Sequence, residues 1–93
     1  MKIKCDLAVI LKAGLDGIIS LYGREITLPF VPMVGMNIEF GVDETAHYTQ
    51  LFIEHVSWDI DLKKFWINFE DVICRRDAGD AEKWFLSNGW EEQ

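Results

Sequence analysis

The sequence predicts an α+β fold that is mainly β: five or six antiparallel strands in a curved sheet or small, partly open barrel, with one C-terminal helix. Three observations predict it. Apolar and polar side chains alternate along most of the chain, the period of a strand with one buried face. The stretch Thr49 to Cys74, TQLFIEHVSWDIDLKKFWINFEDVIC, reads as two such arms joined by a short turn. Helical spacing is confined to the segment after Arg76.

Met1 to Ala13 is the first strand. Met1, Ile3, Cys5, Leu7, Val9, Leu11 and Ala13 share one parity, and Ala8 and Ile10 make the middle apolar on both faces. Gly14-Leu15-Asp16-Gly17 is a turn. Gly17 to Phe30 is one bent strand or two short ones, with a kink or tight turn at Gly23-Arg24. Pro29 and Pro32 donate no ladder hydrogen bonds, so LPFVPMVG is an extended apolar connection at a sheet edge. Met36 to Val42 alternates again, with Met36, Ile38, Phe40 and Val42 inward, and Asp43 to Tyr48 is a polar loop.

In the long hairpin, a four-residue loop Asp61-Leu62-Lys63-Lys64 pairs Ile60 with Phe65, Trp58 with Ile67 and Val56 with Phe69. All six then share one face, and an odd slip would turn one set to water. The other face pairs Trp66 with Asp59, Asn68 with Ser57 and Glu70 with His55. Trp66 is the odd member, to be covered by another element or left exposed for a partner. The apolar phase slips at Glu54-His55 and again at Glu70-Asp71, which predicts a bulge or bend in both arms.

The helix spans 78–88. Asp77 is the N-cap, Asp80 favours the N-terminal dipole, and Ala81, Trp84 and Phe85 form the buried face. Asn88-Gly89 stops it, with Trp90 folding back on Phe85 as in a Schellman cap. This helix is the candidate to cover Trp66 or plug one end of a barrel. LPFVPMVGMNIEF followed by EHVSWDID and FWINFEDV resembles small SH3-like β-barrel modules in pattern. The resemblance spans Pro29 to Val72 and carries no functional residues with it.

Length and composition bound the function. The 93 residues, 49% of them apolar, suit a single domain over 1–93. No apolar run approaches a membrane span. Asp6 interrupts the N-terminal apolar segment, so it reads as a cytoplasmic strand rather than a leader. A net charge of −7 disfavours nucleic acid and anionic membranes and suits a basic protein partner. Cys5 and Cys74 are expected as buried free thiols.

The chemistry is sparse. His55 and Glu70 form the sharpest polar pair, either an acid-base pair or a surface ion pair. His47 with Asp43 and Glu44 could hold a metal, against the plainer reading of a solvated loop; no metal or cofactor is assigned. No phosphate loop or catalytic signature occurs. The apolar run Phe30-Val31-Pro32-Met33-Val34 either closes the core or forms a contact patch. The leading expectation is therefore a non-enzymatic protein-interaction module. It would use an apolar-aromatic patch of Phe30, Val31, Met33, Trp66 and Trp90 in an acidic surface, for self-association or a basic partner. The alternative is a small-ligand binder or small enzyme with a pocket near His55, Glu70 and Trp66.

Overall fold

The structure is a computed structural model that describes residues 2–14, 17–40 and 47–93. In chain order its elements are β1 (Ile3–Lys12), β2 (Ile18–Leu28), β3 (Asn37–Glu39), a 3-10 turn (His47–Thr49), β4 (Gln50–Asp59), β5 (Lys64–Phe69), β6 (Val72–Ile73), α1 (Ala78–Ser87) and β7 (Glu91–Glu92). The strands form an open sheet in the order β3-β4-β5-β1-β2-β7, and β6 also pairs β1. The sheet is mixed rather than antiparallel, because β5 and β6 both run parallel to β1. Alternation tells which face a side chain takes but not which way the neighbouring strand runs, so this link was hidden from the sequence.

β1 is central because its middle is apolar on both sides. Cys5, Leu7, Val9 and Leu11 are buried on one face, and Ala8 and Ile10 are half-buried on the other. β2 pairs with it antiparallel from Ile3 opposite Leu28 to Leu11 opposite Ser20. It runs without a break through Gly23, so the anticipated kink is absent there. Gly23 serves a close approach instead: a Cβ at this position would lie 2.8 Å from Nε2 of Gln93. Leu15 and Asp16 of the first turn lie outside the described residues; on either side of them the Ala13 N–H donates to the Gly17 carbonyl at 2.7 Å. Of the strand expected over Met36 to Val42, Asn37–Glu39 is paired and Val42 lies outside the described residues.

The β4–β5 hairpin has a four-residue turn, but it is Ile60-Asp61-Leu62-Lys63, one residue earlier than expected. Asp59 faces Lys64, Trp58 faces Phe65, Ser57 faces Trp66 and Val56 faces Ile67. The expected pairs Ile60–Phe65, Trp58–Ile67 and Val56–Phe69 therefore do not form. The faces survive because the register moves by two, an even number. The capping Asp is Asp59: its Oδ1 accepts from the N–H groups of Leu62 at 2.9 Å and Asp61 at 3.1 Å. Lys63 completes the turn at φ 55°.

Both expected phase slips are present. β4 carries a bulge between Ile53 and His55, which turns Leu51 and Ile53 into the core. Glu70-Asp71 interrupts β5 and β6 beside β1, so Cys5 faces Phe65 but Leu11 faces Val72, one residue out of step. Lys12 Nζ meets Asp71 Oδ2 at 2.8 Å across this break.

Helix α1 lies on the core face. Ala81 and Phe85 are buried, and the Phe85 ring stacks on Tyr22 with centroids 4.7 Å apart. The Trp90 N–H donates to the Phe85 carbonyl at 3.1 Å and Gly89 sits at φ 87°, the Schellman arrangement expected. Asp77 holds the N-cap position, but its side chain makes no capping hydrogen bond. Trp90 is 2% exposed, packed against Phe85, Phe40 and Phe69, so its place in the contact patch is corrected to the core. Its indole Nε1 is buried with no hydrogen-bond partner among the described residues.

Candidate functional site

Trp66 lies on the face of the sheet away from α1. β1 sets this geometry: Val9 faces Tyr22 under the helix, whereas Asp6 faces Trp66 on the outside. Trp66 is 41% exposed and the helix does not cover it. Two groups hold its ring. The indole N–H donates to Asp59 Oδ2 at 3.2 Å. The Lys64 ammonium lies 4.6 Å from the ring centroid, and it is itself paired with Asp6. An indole tethered at its edge and on one face loses little freedom when something binds the rest.

Beside Trp66 is a hollow of ≈ 350 Å³, lined among others by Asp6, Ala8, Gly23, Asn68, Glu91 and Gln93. Ala8 and Gly23 face each other across β1 and β2, and these two small residues make the depression. Of the charged groups that line it, Asp6 and Glu91 are carboxylates and Arg24 is a cation; Asp59 and Lys64 contact the Trp66 ring beside it, and Glu25 faces Asp6 across β1 and β2. The Leu62 N–H, then the Trp66 indole, hold the Asp59 carboxyl below its usual range. The hydrogen bond to Asp6 holds the Lys64 ammonium above its own.

A second exposed surface lies at the end of the sheet. Pairing of Ile3 with Leu28 and Cys5 with Phe65 brings the start of β1, the end of β2 and the β4–β5 turn to this end. Trp58, Leu62, Phe65 and Ile3 line an open groove of ≈ 610 Å³ with Lys2, Lys4 and Lys63. Ile60 is 76% exposed beside them in the turn. Phe30, Val31, Met33 and Val34 are also exposed, which decides between core closure and surface for that connection; Pro32 alone of the run is buried. The charged residues that line the groove at the sheet end are the three lysines Lys2, Lys4 and Lys63.

The expected polar pair is not formed. The bulge after Ile53 sets His55 opposite Asn68, and Glu70 follows the end of β5 with its N–H on the Phe52 carbonyl at 2.8 Å. Glu70 lines a separate hollow with His47, so His55, Glu70 and Trp66 do not converge on one pocket.

His47 instead meets Cys74 and Asp77. Its Nε2 is 3.5 Å from Cys74 Sγ, and its Nδ1 is 3.7 Å from Asp77 Oδ2. Burial, then the Asp77 charge, pushes the Cys74 thiol up to about 12. Asp43 and Glu44, the other members of the expected cluster, lie outside the described residues. Cys5 and Cys74 are both buried free thiols, as expected. Sequence reasoning put Trp66 beside Asp59; the structure sets it opposite Ser57 with the indole still reaching Asp59, and what was missed is the extension of that contact to Lys64 and Asp6 and the link from His47 to Cys74. The Asp59 contact had a local signal, since an Asp directly before a four-residue turn reaches back across it. The link from His47 had none, because 27 residues separate its partners.

No protein-family model, curated protein or solved structure matches this chain.

Proposed function

We propose that this protein is a non-enzymatic protein-interaction module whose outer-face hollow receives a basic segment of a partner. The observation that carries the reading is Trp66, an exposed indole fixed by Asp59 beside a hollow that the carboxylates of Asp6 and Glu91 line against the one cation Arg24. Lys64 over the ring shows the chemistry such a partner would repeat: an arginine or lysine on an aromatic face beside a carboxylate. The two buried free thiols support a reducing, cytoplasmic setting. No helix among the described residues is long and apolar enough to cross a membrane.

The test is a titration of isotope-labelled protein with an arginine-rich peptide and with a glutamate-rich peptide of equal length. The arginine-rich peptide should shift the Trp66 indole N–H resonance, the glutamate-rich one should not, and Trp66→Ala should weaken binding about tenfold. Binding that is unchanged in Trp66→Ala, or shifts that avoid Trp66, would overturn the reading.

A second reading, self-association, draws on the sheet end. Its apolar groove carries three lysines in a chain of net charge −7, so it complements the acidic remainder of another copy. Sedimentation should then show a concentration-dependent dimer that Trp58→Glu abolishes. A monomer at every concentration rejects it.

A further inference from the structure

One set of ligating side chains lies apart from both surfaces. The 3-10 turn that begins at His47, the residue after β6 and the residue before α1 come together, and one donor atom from each of His47, Cys74 and Asp77 lies within 4.8 Å of the others. Asp77 stands where a helix cap would be, yet its carboxylate leaves the helix N–H groups alone and turns to the imidazole.

The hydrogen bonds assign the protons. His47 Nε2 is 3.1 Å from the Ile73 carbonyl and 3.5 Å from Cys74 Sγ, the carbonyl being the nearer partner. A carbonyl only accepts, so Nε2 carries the hydrogen and donates it. In a neutral imidazole Nδ1 is then a bare lone pair, and it faces the Asp77 carboxylate, acceptor against acceptor. A positive charge belongs between them. A proton would serve those two groups alone, whereas a metal ion on Nδ1 would also draw in the thiol, whose Sγ rests 3.5 Å from Nε2 and turns from there toward the ion.

We propose that His47, Cys74 and Asp77 bind a borderline-soft divalent transition ion of the zinc class. His47 Nδ1, the Cys74 thiolate and an Asp77 carboxylate oxygen are the protein ligands, and water takes the fourth position. A thiolate and an imidazole select such an ion over magnesium or calcium, which take oxygen ligands. The Ile73 carbonyl is the outer partner that fixes the tautomer and orientation of a metal-bound imidazole. On binding, the metal–sulfur, metal–nitrogen and metal–oxygen bonds form, the Cys74 S–H bond breaks and one proton leaves to solvent. His47 and Asp77 are partly exposed, which gives the ion a way in. Cys74 is fully buried, which fits a ligand and not a nucleophile that must reach a substrate.

The test uses the full chain, freed of metal with a chelator and titrated with Zn²⁺ and with Co²⁺. Co²⁺ should give tetrahedral visible bands with a thiolate charge-transfer band and release one proton as it binds, and Zn²⁺ should displace it one-for-one with no further proton release. The surface variants His47→Gln and Asp77→Asn should each bind Zn²⁺ at least about tenfold more weakly. Cys5→Ser and His55→Gln should bind as the parent does. Absence of binding, a Co²⁺ spectrum without the thiolate band, or Zn²⁺ affinity unchanged in both surface variants would overturn the site. The charge-transfer band reports on Cys74 even where Cys74→Ser fails to fold.

Discussion

The Asp59 carboxylate accepts the indole N–H of Trp66 at 3.2 Å while its other oxygen closes the β4–β5 turn on Leu62 at 2.9 Å. One side chain therefore sets the hairpin register and fixes the exposed ring. The turn and the candidate surface are linked through it, so a change at either is felt at both.

That link is pH-dependent. Hydrogen bonds from Leu62 and Trp66 lower the Asp59 pKa in the folded state, relative to about 3.9 in the unfolded chain. A lowered carboxyl contributes stability that is present above the unfolded value and lost as pH falls through the folded one. Asp59→Ala should therefore lower the urea midpoint at pH 7, and the gap from the parent should shrink below pH 4. A gap independent of pH would remove Asp59 as the ionised cap.

Lys63 occupies left-handed backbone at φ 55°. Glycine enters that region without Cβ strain, against some loss of unfolded-state restriction. Lys63→Gly should stabilise the protein by up to about 1 kcal/mol, read from urea unfolding. Marked destabilisation would argue against this turn.

Gly89 is the opposite case. It sits at φ 87°, and an added Cβ would meet Arg24 Nε at 3.4 Å. Gly89→Ala should cost about 1–2 kcal/mol by loosening the turn that returns Trp90 to Phe85. Thermal or urea unfolding measures it.

Core and surface residues should separate cleanly. Phe85→Ala removes the ring stacked on Tyr22 and should cost about 3–5 kcal/mol, and Ile67→Ala about 2–5 kcal/mol. Ile60→Ser, in the exposed turn, should stay within about 0.5 kcal/mol. A large loss at Ile60 would restore the register in which it pairs with Phe65.

The paired phase slips were legible because each moves whole sets of apolar residues across a face: Leu51 and Ile53 on one arm, Val72 and Cys74 on the other. The cap on α1 was equally plain, since Gly and an aromatic residue after a helix have a narrow geometric meaning. The hairpin register was off by two because period-two alternation is blind to even shifts. The backbone ladder and the hydrogen bonds of Asp59, both absent from any apolar pattern, distinguish the two registers. Trp66 was readable as misplaced but not as held, and Trp90 was misjudged because its burial depends on Phe40 and Phe69, far away in the chain.

By itself the sequence determined what repeats along the chain: strand periods, the bulges, the helix with its stop, and two thiols on apolar positions. Tertiary structure alone decided what comes from folding those pieces together. It ran β5 parallel to β1, separated His55 from Glu70, set lysines around the apolar sheet end, and brought His47 to Cys74 and Asp77. The physical reason is range: local patterning orders neighbours on one strand, whereas side-chain chemistry between strands depends on which backbones hydrogen-bond, and that is settled by packing of the whole core.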